Sequence, residues 1–220
     1  MKNNEFIIKF STKFKGIRVI DTEMYSTEWS LVTDIVPNPK ASDEDFNFAL
    51  NKIKFWLEQI LEGSVMFSSN NKWAVSSFMS KASNVSVLCP HEPTDDHLNT
   101  LFVSKINALG TGILTAGFLE LTSDTSAGLT FIYVGDDAPY MPTMKEWIGK
   151  RSYFAEPWWD RNDASSIDVV PKRGVDLTDT PAFAVNLDFL REHLPIEEDE
   201  SKVIRPSKFK PKVIDGKKKD

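Results

Sequence analysis

"IVPNPKASDEDFN" (residues 35–47) and "LCPHEPTDDHLN" (residues 88–99) share one local design. Each begins as an apolar strand stopped by a proline, Pro37 or Pro90, passes a second proline, and arrives at a helix start. Ser42, Asp43, Glu44, Asp45, Phe46 and Asn47 align with Thr94, Asp95, Asp96, His97, Leu98 and Asn99. A hydroxyl at the N-cap accepts one of the N–H groups that a first helical turn leaves open, and carboxylates favour the positive end of the helix dipole. Asp45 completes a capping box with Ser42. Each helix then closes on a glycine, Gly63 or Gly110, and passes into another apolar stretch.

Strand, helix and strand, twice over, predict an α+β chain with a ferredoxin-like split βαβ core. Its members would be strand 28–36, a helix over about 43–62, strands 64–68 and 84–89, a helix over about 95–109, and strand 112–121. Upstream, the alternation around Gly16 predicts a hairpin near 5–25, and "KWAVSSF" (72–78) reads as a further short strand. "GILTAGFLELT" and "LTFIYVG" predict a hairpin across "SDTSAG". Beyond Gly135 the pattern weakens to a short helix at "TMKEWIG", an aromatic loop "YFAEPWWDRND" and an ambiguous "TPAFAVNLDFLREHL". The reading is therefore one domain over 1–195: hairpin, βαββαβ core 28–134, and irregular aromatic extension 135–195. The charged, apolar-poor segment 196–220 is expected to be disordered.

Composition narrows the function. With 220 residues, 41% hydrophobic and 26% charged, the chain can bury a substantial core. The segment from Ile196 holds eight of the 26 basic and six of the 32 acidic residues, which leaves the body at −8. Such a body repels nucleic acid and anionic membrane; a nucleic-acid role would fall to the basic residues between Lys202 and Lys219. No apolar run reaches transmembrane length and "MKNNEF" does not open a signal peptide, so a cytoplasmic protein is expected. The lone Cys89 suits a reducing compartment and reads as a small apolar residue ending a strand.

The cysteine, histidines and carboxylates of "CPHEPTDDHLN" invite a metal or acid–base reading. The other copy places the same acids with no histidine, and His97 projects away from the stripe Leu98, Phe102, Ile106, Leu109, so helix capping accounts for them. Gly135-Asp136-Asp137 resembles the GDD turn of template-dependent polymerases, yet the prolines of "APYMP" cannot return as a central strand. A metal-dependent phosphoester enzyme using Asp136 and Asp137, with Asp96 or His97, is the alternative to a non-catalytic protein. No phosphate loop, dinucleotide fingerprint or nucleophile elbow is present, and no cofactor or metal is expected.

What remains is apolar surface. On the first helix Phe48 and Phe55 project opposite the main stripe; they are either covered by another segment or form a partner-binding ridge. In "AEPWWDR" (155–161) an extended backbone would send Trp158 and Trp159 to opposite sides, leaving one ring with Arg161 as a contact surface. The competing arrangement packs both rings beneath the sheet. The run "ALNKIKFWLEQILEGSVMF…HEPTDDHLNTLFVSKINALG…MKEWIGKRSYFAEPWWDR" resembles accessory proteins of large T-even-like bacteriophages, those that inhibit the prohead protease among them. That resemblance implies a regulator or assembly factor working by protein binding, and it carries over no individual residue.

Overall fold

The computed structural model describes residues 6–78, 85–135, 141–148, 154–168 and 187–192. Alternation near the N-terminus builds β1 (Ile8–Ile20) and β2 (Glu23–Pro37), a long antiparallel hairpin with Ile8 opposite Ile35 and Ile20 opposite Glu23. Asp21 makes the turn at φ 52, a left-handed conformation that Asp tolerates better than most residues. The hairpin is therefore longer than 5–25 and does not turn at Gly16, and strand 28–36 is part of its second arm. Gly16 lies opposite Thr27 and is needed for a different reason. A Cβ there would stand 2.7 Å from the Ser64 carbonyl oxygen and 3.3 Å from the Trp29 ring, so only glycine lets the next strand approach.

That strand is β3 (Ser64–Ser68), which pairs parallel to β1, with β4 (Ser86–Cys89) parallel beyond it. On the other side β5 (Leu114–Ser123) and β6 (Thr130–Val134) add antiparallel to β2, as the predicted hairpin required. The six-stranded order is β4-β3-β1-β2-β5-β6. The protein is α+β, but this order departs from the ferredoxin-like expectation. In a split βαβ core β2 and β3 would be parallel with β4 between them; here they are antiparallel with β1 between them. The two similar segments share the start of a helix after a proline-stopped strand, which is local, whereas strand pairing is decided by the hairpin that β1 forms with β2.

Two helices cover one face of the sheet. In α1 (Asp43–Phe55) the Ser42 hydroxyl accepts from the Asp45 N–H at 3.1 Å. The helix changes pitch before Glu62: Leu61 N–H donates to Trp56 O, five residues back, so Trp56–Ile60 is a π-helical turn. The change keeps Trp56, Leu57 and Leu61 all in the core. In α3 (Asp95–Gly110) Leu98, Phe102, Ile106 and Leu109 are buried as the stripe predicted. Trp56 stacks on Trp158 at 5.9 Å and meets Phe102 edge-on at 5.7 Å. Residues 72–78 form α2 (Lys72–Phe78) rather than a strand, because Asn71 Oδ1 accepts from the Ala74 N–H (3.0 Å) and starts a helix. The other face is polar where Lys13 and Lys15 of β1 pair with Glu28, but toward β3 and β4 it is covered by α2, with Val19, Val65, Phe67, Ala74 and Leu88 in a second buried cluster.

Thr94 stands at the helix start but its hydroxyl meets His97 Nδ1 (3.0 Å), with no side-chain capping bond. Ser42→Ala should therefore cost roughly 0.5–2 kcal/mol of stability in urea denaturation, and Thr94→Ala clearly less. Equal losses would show that Thr94 caps its helix in solution. Among the described residues no helix is long and apolar enough to cross a membrane.

Candidate functional site

"CPHEPTDDHLN" holds more than a cap. Asp95 is buried (3% exposed) and is the common acceptor for three elements. The Arg18 guanidinium of β1 pairs with it, Trp29 Nε1 of β2 donates at 3.0 Å, and Ser123 Oγ of β5 donates at 2.6 Å. Arg18 also lies over the Trp29 ring, 5.2 Å from its centroid. This cluster stitches the N-terminus of α3 to three strands. Its carboxylate is buried and its oxygens are taken up by these internal donors, so its chemistry is structural. His91 and His97 come together, with ring centroids 5.1 Å apart. His97 Nδ1 lies 3.0 Å from Glu92 O, a bond in which the imidazole donates. Cys89 ends β4 fully buried, and burial pushes its thiol far above its usual range.

The aromatic extension is a plug. After α4 (Met144–Trp147), residues Trp158–Asp160 form a 3₁₀ turn rather than an extended strand. Both Trp158 and Trp159 are wholly buried, so neither ring offers the contact surface expected of one of them. Arg161 is likewise spent inside. It ion-pairs with Asp168, donates to Glu156 O (2.7 Å), Ser165 Oγ (2.9 Å) and Ile167 O (3.2 Å), and stacks on Phe154. The residue that sequence reasoning missed is Lys105. Its ammonium nitrogen is completely buried in α3 and donates to Trp158 O and Arg161 O, each at 2.8 Å, with Asp163 at 3.7 Å. A lysine four residues after Leu101 and one before Ile106, on an otherwise apolar face, was the available signal.

An open cleft of about 370 Å³ lies outside this plug, between Ala108 and Thr111 of α3's end and Glu156, Asp160, Arg161 and Asp163. Burial and the neighbouring Glu156 hold the Asp160 carboxyl above its ordinary range. No histidine, cysteine or serine lines the cleft. Among the described residues no three His, Cys, Asp or Glu side chains converge as metal ligands would, and Asp136 and Asp137 lie outside those residues. The tail 196–220 also lies outside them. Phe48 and Phe55 are covered by the C-terminal segment: Arg191 of α5 (Phe189–Glu192) lies 4.3 Å from the Phe48 ring centroid, and Phe189 meets Phe55 edge-on. They form no free ridge.

The two edges of the sheet differ sharply. At β4 the extension supplies what a strand would: Leu88 N–H donates to Ser166 O (2.9 Å), Ser166 Oγ to Ser86 O (2.7 Å) and Trp158 Nε1 to Leu88 O (2.8 Å). At β6 no described segment does so. Ile132 is 57% and Val134 74% exposed, Leu129 beside them is exposed as well, and the strand "TFIYV" carries no charge. Its other face is held down by Phe131 and Tyr133, half-buried against α3, and by Asn99 Nδ2, which donates to both Leu119 O and Phe131 O.

No protein-family model and no curated protein matches the chain. Among solved structures, a catalytic-residue mutant of Plasmodium vivax 6-pyruvoyltetrahydropterin synthase aligns at 10% identity, over 58% of this chain and 97% of that one, with a TM-score of 0.34. A further crystal structure of the same enzyme aligns at 8% identity over the same shares, with a TM-score of 0.32. Scores this low establish neither a shared fold nor a shared activity.

Proposed function

We propose that this chain is a non-catalytic protein-binding factor, a regulator or assembly protein, that engages its partner along β6. The observation that supports this most is the asymmetry of the sheet edges: one is hydrogen-bonded by the chain's own extension, while the other is apolar, uncharged and open among the described residues. Natural proteins blunt free edges with lysine, proline, bulges or a covering segment, and an edge left without these is a template for strand addition. The buried charges that could have served chemistry, Arg18 with Asp95 and Lys105 with Asp163, are occupied by internal partners. The resemblance to phage accessory proteins is in keeping with such a regulator.

Charging the edge tests the reading. Ile132→Lys with Val134→Lys should leave the thermal transition close to that of the natural protein, because both side chains already face water. Proteins captured from native cells by the natural chain, identified by mass spectrometry, should bind the variant at least about tenfold more weakly, since lysine on an edge opposes strand pairing. Undiminished capture of the same proteins by the variant would reject β6 as the contact.

A further inference from the structure

We infer that β6 pairs antiparallel with β6 of a second copy of this chain, joining two six-stranded sheets into one about a two-fold axis at Ile132. The inference rests on the proposed reading of β6 as an acceptor edge, and any other partner has to displace the second copy. The ladder shows which groups the edge offers. Gly135 N–H donates to Gly117 O (3.1 Å), so that pair is a hydrogen-bonded one. Alternation along the antiparallel β5–β6 ladder then turns the backbone groups of Phe131 and Tyr133 toward β5, and those of Thr130, Ile132 and Val134 outward.

Three outward residues centred on Ile132 are their own complement. A two-fold rotation sets Ile132 opposite Ile132 and Thr130 opposite Val134, so every outward N–H and C=O meets its counterpart. A slip by one residue would set outward groups against inward ones. A slip by two would take one end of each strand out of the pairing. In the centred register the exposed Leu129 stands opposite Gly135, where no side chain meets it.

Electrostatics favour the same contact. The whole chain carries −6, so two copies repel least where neither is charged. Residues 129–135, "LTFIYVG", hold no charged side chain. On the face opposite α3, Ile132 meets Ile132, while Val134 with its β5 neighbour Phe118 meets Thr130 with Thr122. The nearest charge in the central row is Glu120, the partner of Ile132 on β5. The two Glu120 positions would lie three strand spacings apart, about 14 Å, beyond the ~8 Å screening length of physiological salt.

The covered edge at β4 makes the assembly close. With Leu88 and Ser86 already bonded to Ser166, each sheet has one open edge among the described residues, and the two-fold uses both. The product is a pair and not a fibre. Two five-residue strands make a small contact, so the association depends on concentration.

The test uses the full chain. At about 100 µM it should sediment as a dimer of 24.9 kDa subunits. Ile132→Lys and Ile132→Glu should each sediment as monomers with an unchanged thermal transition, and an equimolar mixture of the two should sediment as a dimer again. A monomeric natural chain, a dimer that survives Ile132→Lys, or a mixture that stays monomeric would overturn the inference. The register has its own readout, with which the buried Cys89 does not compete. Ile132→Cys should cross-link between copies at least about ten times faster than Thr130→Cys, because the paired Cα atoms are about 5.5 Å apart in the first and about 15 Å in the second. Thr130→Cys mixed with Val134→Cys should restore the fast rate. Equal rates for the two single variants would overturn the inference as well. The two readings fail separately. A monomeric chain whose capture of cellular proteins is abolished by charging β6 rejects only the second copy as occupant. A β6-paired dimer whose charging leaves that capture intact rejects only the wider protein-binding role.

Discussion

Asp95→Ala should destabilise the protein by roughly 3–5 kcal/mol, the range expected when one partner of a desolvated ion pair is removed. The magnitude follows from what is left behind. Arg18 has a side chain only 7% exposed, and its Nε has no partner among the described residues even with Asp95 present. Without the carboxylate its charge would be buried uncompensated, and the Trp29 indole N–H and Ser123 hydroxyl would lose their acceptor as well. Arg18→Met should cost a comparable amount for the mirror reason. The double variant Arg18→Met with Asp95→Leu should cost much less than the two single losses added, because neither charge then remains buried. Urea denaturation of the four proteins closes the cycle. Additive losses would mean that the pair is not coupled in solution.

The second large effect belongs to Lys105. Burial, offset in part by Asp163, lowers its amine from the usual lysine range to about 7. A neutral amine has two N–H groups, and two carbonyls, Trp158 O and Arg161 O, are there to accept them. The unfolded chain holds its proton up to the ordinary lysine range of about 10.4. Below about 7 both states are protonated and the cost of burying the charge is present in full. As pH rises from there toward about 10, the folded state releases the proton while the unfolded state keeps it, so stability climbs. Lys105→Met should flatten that climb, and at pH 9 it should also lose about 1–3 kcal/mol from carbonyls left without their donor. Thermal melts at pH 6 and pH 9 on both proteins measure this. An identical pH slope in the two would show that Lys105 stays charged in the fold.

Much of the fold is written in local rules that a sequence displays. The Ser42 cap before α1, the apolar stripe of α3 and the β5–β6 hairpin depend on residues a few positions apart, and each occurs where the rules put it; Thr94 starts α3 without the side-chain capping bond. What escaped is non-local or doubly used. Asp95 satisfies the preference for acid in a first helical turn, so the simple explanation hid its contacts with residues 66 and 77 positions away. Gly16 reads as a turn because a glycine's service to a neighbouring backbone is silent until that neighbour, Ser64, is placed. Trp158 and Trp159 were expected to diverge on an extended backbone; the 3₁₀ turn instead folds both under the sheet, with Lys105 bonding the turn's carbonyls. The edges were illegible for the same reason, since no strand announces whether a distant segment will cover it.

The covering of β4 has a consequence for biosynthesis. Ser166 bonds to Ser86 across 80 residues of sequence. At the usual ~5–20 residues per second, a ribosome needs roughly 4–16 s to supply that serine after β4 has been made. During that interval every nascent copy carries a short, apolar, parallel edge with nothing laid along it, on a polysome where sister chains are close. The chain made by then, Met1–Cys89, holds ten basic and ten acidic residues, so repulsion between sister chains sets in only as the acidic remainder is translated.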